Sequence, residues 1–246
     1  MKRVVHEDGR VTGIELADEG TETFDHVVST MPLTLLVRGL GELPAEVEQA
    51  AAELTFRNTI LVYLCVDASD LFPDQWFYIH SPDLRMGRLA NFRNWAPELC
   101  RDHTETILAL EYWCYDDEIW AEPDKGLIDR ATREVRSTGL TRDVAITAGH
   151  VCRVHRSYPV YRCGYKERVA KIIDYLTRYR GLTPIGRAGT FKYNNQDHSI
   201  LMGMLAAENI LDDAGHDLWA VNTDYETYQE EATIDETGLV PAGGPS

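Results

Sequence analysis

The chain opens with short runs of β-branched and apolar residues broken by polar turns. Val4–Glu7 and Val11–Leu16 flank Asp8-Gly9, a dipeptide that favours a tight hairpin. A third strand, Phe24–Ser29, follows the polar turn at Asp18-Glu19-Gly20. Together these predict a three-stranded antiparallel meander that starts at the first residue. After Pro32 the pattern turns helical, with an amphipathic stretch from Pro44 to about Leu54. Thr59–Val66, Gln75–Ile79, Gly87–Phe92 and Thr106–Trp113 are rich in β-branched and aromatic residues and read as strands. Pro123-Asp124 opens a helix to about Ser137, with Gly139 as its stop, and Val144–Val154 returns to strand. Val169, Ile172, Ile173, Leu176 and Tyr179 share one face of a helix over Lys166–Tyr179, ended by Gly181. A short strand, Leu182–Ile185, leads to Gly186. From about Ser199 to Leu211 apolar residues fall on every side, which predicts a buried helix. The whole is α/β in the mixed α+β sense.

Composition adds exclusions. The 246 residues are 44% hydrophobic and 26% charged, which is ordinary for a globular chain. A formal net charge of −16 argues against a general nucleic-acid binder, which needs a basic surface. The charge is uneven. Residues 201–246 hold ten acids and no Lys or Arg, whereas residues 150–192 hold ten Lys and Arg against Glu167 and Asp174. Such a local positive field suits a phosphate-bearing ligand. No apolar run approaches the ~20 residues of a membrane span, and the start has no apolar signal core. Five cysteines, none in CxxC spacing, predict neither a disulfide framework nor a metal site, and point to reduced thiols in the cytoplasm. Trp76, Trp95, Trp113 and Trp120 crowd the middle third, as core packing or as an aromatic wall for a substrate.

The chemically informative stretch runs from Gly186 to Leu201. Gly186 and Gly189 let a backbone approach a ligand closely. Asp197 stands at or just before a helix N-terminus, whose free N–H groups and partial positive charge favour an anionic or electron-rich group. The run GRAGTFKYNNQDHSILMGMLAAENI resembles the C-terminal flavin-binding motif of the flavin-containing amine oxidase superfamily, which includes protoporphyrinogen oxidases and UDP-galactopyranose mutases. Tyr158-Pro159-Val160-Tyr161 and Val27-Val28-Ser29-Thr30-Met31-Pro32 fit the same group.

The resemblance implies FAD as cofactor. Gly186, Arg187, Tyr193, Asn195, Asp197, His198 and Ser199 would bind it, and Tyr158, Tyr161 and Arg162 would face the substrate. Residues 1–35 become a segment of an incomplete Rossmann-like FAD domain and 36–156 a substrate-binding domain with a mixed or antiparallel sheet. Residues 157–215 return to the FAD domain, and 216–246 form an acidic tail. The family also uses a Gly-x-Gly-x-x-Gly turn for the ADP pyrophosphate. Here the only Gly-x-Gly is Gly39-Leu40-Gly41, with Pro44 in the place of the third glycine. The chain therefore reads as the C-terminal part of such an enzyme, truncated or needing a partner chain for its N-terminal FAD-binding half, and inactive alone. The complete protein would pass hydride from a small-molecule substrate to flavin N5. Two other readings stay open. One is a non-redox mutase on a nucleotide sugar, with Arg153, Arg156 and Arg162 on its diphosphate. The other is a non-catalytic subunit. No catalytic side chain stands out: His155 and His198 are lone histidines.

Overall fold

A computed structural model describes residues 2–17, 20–100 and 103–221, and the backbone of 232–235 and 238–241. The chain divides into two compact units, Met1–Thr55 with Tyr158–Ser246, and Phe56–Ser157.

The first unit begins with β1 (Arg3–Glu7), β2 (Arg10–Leu16) and β3 (Gly20–Thr23), an antiparallel sheet in the order β1-β2-β3. Asp8 and Gly9 are both left-handed, at φ 48° and 72°, so the dipeptide makes the turn its composition favours. The third meander strand is shorter and earlier than the sequence suggests. Thr21, Glu22 and Thr23 pair with Glu15, Ile14 and Gly13. The chain then breaks at Asp25, and β4 (Val27–Ser29) leaves the meander to pair in parallel with a strand far along the sequence. Two helices follow, α1 (Leu33–Arg38) and α2 (Ala45–Glu53), and the second begins after Pro44.

The second unit is built on five strands in the order β6-β7-β8-β5-β9. They are β5 (Thr55–Val66), β6 (Trp76–Tyr78), β7 (Arg88–Asn91), β8 (Thr106–Cys114) and β9 (Ile146–Val160). Pairing of β6 with β7, β7 with β8 and β8 with β5 is antiparallel. Three helices interrupt the run: α3 (Phe92–Trp95), α4 (Glu118–Ala121) and α5 (Asp124–Ser137). Alternation sends Ile60, Val62, Leu64, Leu108, Leu110 and Tyr112 to one face, where they pack with Leu127, Ala131 and Val135 of α5. Glu134 on α5 fastens this layer. Its carboxylate accepts the backbone N–H groups of Arg85 and Met86, and the Tyr112 hydroxyl at 3.1 Å.

Strand β9 carries the chain back to the first unit, where α6 (Tyr165–Leu176) packs on α2. Then come β10 (Leu182–Pro184), which pairs with β4, the single turn α7 (Gly186–Gly189) and α8 (Gln196–Leu211). The expectation of a wholly buried α8 is wrong. Met202 and Ala206 are buried against Ile185 and Leu218, but Ile200, Met204 and Leu211 are 64%, 59% and 80% exposed. The described chain supplies packing for only one side of this apolar helix. In the acidic tail, β11 (Ala232–Asp235) and β12 (Gly238–Pro241) pair antiparallel, and its other residues past Val221 lie outside those described. Among the described residues no helix is long and apolar enough to cross a membrane, and no group of three acids, histidines or cysteines could hold a metal. All five cysteines are free thiols.

Candidate functional site

The stretch between β10 and α8 is shaped by two glycines with different tasks. Gly186 is buried at φ 76°, and nothing lies within 4 Å of where a Cβ would stand. Gly189 is close-packed instead. A Cβ there would sit 2.8 Å from the Ser29 carbonyl oxygen. So Gly186 borders open space, whereas Gly189 lets α7 settle on the end of β4 rather than on a ligand. Gly186–Gly189 is a helical turn, closed by the Thr190 hydroxyl donating to the Gly186 carbonyl at 2.8 Å.

Arg187, inside that turn, faces aromatic rings. Its guanidinium carbon lies 4.7 Å from the Tyr158 ring centroid and 5.5 Å from that of Tyr193. Those two rings stack at 5.2 Å. Its Nε donates to the Asn194 carbonyl at 2.7 Å. Tyr161 joins the group, because its hydroxyl accepts the Tyr193 N–H at 2.7 Å while its ring stacks on Tyr165 at 4.2 Å. Arg187, Tyr158, Tyr161 and Tyr193 therefore form one wall, with contacts of the kind that hold guanidinium groups on aromatic faces. Arg162 does not join it. It lies exposed in the turn between β9 and α6.

The residues before α8 also differ from expectation. The helix N-cap is Asn195, in extended conformation, and its side chain makes no capping bond. Asp197 lies in the first turn, not at the cap, with its side chain 76% exposed. Backbone and ring N–H groups of His198 hold its carboxyl below the usual range. Asp197 thus spends part of the helix-end donor capacity on itself. Ser199 donates to the Asn195 carbonyl at 3.1 Å.

Three residues of this site lie beyond what the sequence pattern singles out. Asn194 is 1% exposed, and while its amide nitrogen reaches Met202 Sδ, its Oδ1 is buried with no hydrogen-bond partner among the described residues. Phe191, also buried, holds φ at 53°, a strained conformation for an aromatic residue. Lys192 donates to the carbonyls of Trp219 and Val221. The neighbouring asparagine was the more visible one because a cap position is legible in sequence and burial is not.

The basic run around this site is not one field. Arg153 is held by Asp124 at 2.5 Å and by the carbonyls of Trp120 and Glu122, all in the second unit. Arg168 pairs with Glu53 of α2, and Arg178 lies over the Tyr175 ring at 5.4 Å. These three cations are held by their neighbours within the fold. His155 stacks on Trp120 at 5.5 Å in the second unit, with Nε2 3.2 Å from Asp116.

Comparison with known proteins bears on this site. Residues 1–170 match the profile of the family described as flavin containing amine oxidoreductase. The chain belongs to this family. The match ends before Gly186, so the family's membership rests on β1 to α6 and not on the α7–α8 stretch. Among solved structures, a reduced UDP-galactopyranose mutase superposes with a TM-score of 0.75 at 18% identity, covering 90% of this chain and 47% of that one. A putative protoporphyrinogen oxidase from Exiguobacterium sp. 255-15 gives 0.58 at 20% identity, covering 76% and 41%. PF1083 from Pyrococcus furiosus gives 0.52 at 14% identity, covering 89% and 48%. The flavoenzyme fold is shared, and the chain spans less than half the length of each of these structures. No curated protein matches the sequence.

Proposed function

We propose that this chain is the substrate-domain and C-terminal portion of an FAD-dependent oxidoreductase that takes hydride from a small molecule. The observation that carries the reading is the juncture of α7 and α8. There a left-handed glycine borders empty space, a buried amide oxygen of Asn194 has no partner among the described residues, and an arginine stands against the rings of Tyr158 and Tyr193. These features fit a flavin. It offers N–H donors to an orphan acceptor, a flat ring to an aromatic wall, and phosphates to a cation. When bound, it supplies the two-electron acceptor at N5.

The chain's own residues would hold and tune. Gly186 gives a phosphate-bearing chain room to pass, and Arg187 offers it a charge already fixed by Tyr158, Tyr193 and the Asn194 carbonyl. The N-terminal end of α8 would turn its dipole toward a group lying before Asn195, although the Ser199 N–H is bonded to the Asn195 carbonyl and Asp197 takes up part of the remaining donors. Tyr158 and the exposed Tyr161 would give a substrate an aromatic surface beside Arg187.

The pyrophosphate turn of the family would come from outside this sequence, on the same gene or on a partner chain. The exposed apolar side of α8 supports that part of the reading, because contiguous exposed apolar surface marks an interaction site. The experiment is a visible spectrum of the chain purified alone and with a Gly-x-Gly-x-x-Gly-bearing half. The expected result is no stoichiometric flavin alone and a yellow complex together. A stoichiometric flavoprotein from this chain alone overturns the half-site reading. Oxygen uptake with an amine or porphyrinogen supports the oxidoreductase, whereas tight UDP binding by the complete protein without oxygen uptake replaces it with the mutase reading.

A further inference from the structure

The sheet of the second unit has a face opposite the layer under α5. On β5, Val62 and Leu64 point into that layer, so alternation puts Tyr63 and Cys65 on the other side. On β8, Leu108 and Leu110 do the same for Ile107, which lies directly across from Cys65. Here α3 and the segment after it stand beside the sheet and leave a cavity of about 420 Å³. Tyr63, Phe92, Leu99 and Ile107 make its apolar walls, and Glu105 supplies a carboxylate. Along β5, Tyr63 stands about 23 Å from Phe56 at the usual rise per residue. The cavity is therefore far from the end of the sheet where the chain enters and leaves this unit.

The walls continue an aromatic row. The Tyr63 and Phe92 rings lie 6.1 Å apart, tilted by 32°, and Trp95 stacks on Phe92 at 6.3 Å. The row runs out to the surface, where Trp95 is 51% exposed and Leu99, itself a wall of the cavity, is 69% exposed. Large apolar side chains left in water around a concave site mark a place where apolar surface is covered on binding. The polar side is under-supplied. The Thr147 hydroxyl is shared between the Cys65 carbonyl and Glu105 Oε1, at 3.4 Å each, and the Cys65 thiol is a weak second donor to the carboxylate. A carboxylate can accept about four hydrogen bonds, so the half-buried Glu105 retains capacity for a strong donor.

Charge narrows the ligand. The Arg93 guanidinium donates to the backbone carbonyls of His103 and Glu105, so a fixed cation stands beside the residue that carries the carboxylate. An anion would be repelled by Glu105, and an ammonium would gain less from a carboxylate that already has a guanidinium close by. A neutral donor is left. Its body must suit two aromatic walls, and flat rings do so in tilted or edge contacts of about 4.5–7 Å between centroids. We propose that the cavity binds a neutral aromatic alcohol of the phenol class, its ring against Tyr63 and Phe92 and its hydroxyl donating to Glu105. The volume is in the range of small-molecule pockets. All of these residues lie within Phe56–Ser157, and none takes part in the flavin reading.

The test uses the 246-residue chain with three probes of one size: 4-methylphenol, toluene, which lacks the donor, and benzylamine, which carries a charge. Ligand-observed saturation-transfer NMR and calorimetry report binding, and circular dichroism checks folding. Binding of 4-methylphenol with a dissociation constant of about 1 mM is expected, with toluene about tenfold weaker, the ratio for one hydrogen bond. Glu105→Leu should bring 4-methylphenol down to the level of toluene and leave toluene unchanged. Leu99→Ala, at an exposed wall residue, should weaken both about threefold and keep their ratio. Should Glu105→Leu fail to fold, the ranking of the three probes on the wild-type chain and the Leu99→Ala titrations decide alone. Four results overturn the proposal: no transfer to 4-methylphenol, equal affinity for toluene, tighter binding of benzylamine, or unchanged binding in Leu99→Ala or in folded Glu105→Leu.

Discussion

The two glycines of α7 separate a steric constraint from a conformational one, and alanine at each tells them apart. At Gly189 a new Cβ meets the Ser29 carbonyl oxygen at 2.8 Å, with the Met31 oxygen and Thr30 Cα at 3.5 Å. All three are backbone, and the Ser29 carbonyl is engaged by the Ile185 N–H at 2.9 Å. Relief must therefore shift α7 against β4 and strain that bond. Overpacking of about 1–3 kcal/mol and a weakened hydrogen bond of about 1 kcal/mol are offset by about 0.4–1 kcal/mol from stiffening the unfolded chain. The net loss is about 2 kcal/mol. At Gly186 no atom obstructs, and the cost is the left-handed conformation, about 1–2 kcal/mol, with the same offset. That nets about 1 kcal/mol or less. Urea unfolding followed by far-UV circular dichroism should rank the proteins wild type, Gly186→Ala, Gly189→Ala in falling stability. Flavin retention in the reconstituted protein should instead fall more for Gly186→Ala, whose methyl enters the open space. A Gly189→Ala protein with the wild-type midpoint would refute the reasoning, since it would mean that α7 does not rest on β4.

Other outcomes follow from single sites. Leu127→Ala removes a fully buried side chain facing the second unit's sheet, and should cost about 2–5 kcal/mol by thermal unfolding. Arg187→Met removes the cation between Tyr158 and Tyr193 and should weaken flavin binding with little change in fold, read by fluorescence titration and circular dichroism. Burial and then Arg10 depress the His26 pKa below 6.5, where its Nε2 lies 2.7 Å from Thr183 Oγ1 between β4 and β10. The unfolded chain then binds more protons just below pH 6.5, so stability should be full above that value and fall as pH drops through the folded pKa. His26→Gln should flatten this slope. Burial and then Asp117 push the Cys114 thiol up to about 11, so at pH 8 a thiol reagent should label exposed Cys152 and Cys163 and leave Cys114 until the chain is denatured.

How much of this was legible before folding depends on the range of the interaction that fixes each feature. Local chemistry was readable. Asp8-Gly9 forces its own turn, Pro44 and Pro123 sit at the starts of α2 and α5, and alternation along β5 and β8 names the residues under α5. The third meander strand was misplaced because the polar, exposed Gly20–Thr23 carries no strand signal, whereas the apolar residues of Phe24–Ser29 do. Val27 in that run finds its partner over 150 residues away, at Leu182. The surroundings of α8 were misread for the same reason. A run apolar on all sides specifies a helix that needs covering, not what covers it, and here the described chain covers only the side of Met202 and Ala206. Charge counting was least informative. Ten cations in 43 residues looked like one field, yet Arg153 is spent on carbonyls and a carboxylate beside α4 and α5, and Arg168 on Glu53. Arg187 differs because Gly186 turns it among tyrosines, where no carboxylate is its recorded partner. One feature that marks the site here, the orphan oxygen of Asn194, is a product of burial. It exists only once distant strands and helices have removed water from a polar atom, and no spacing of residues along a sequence encodes that.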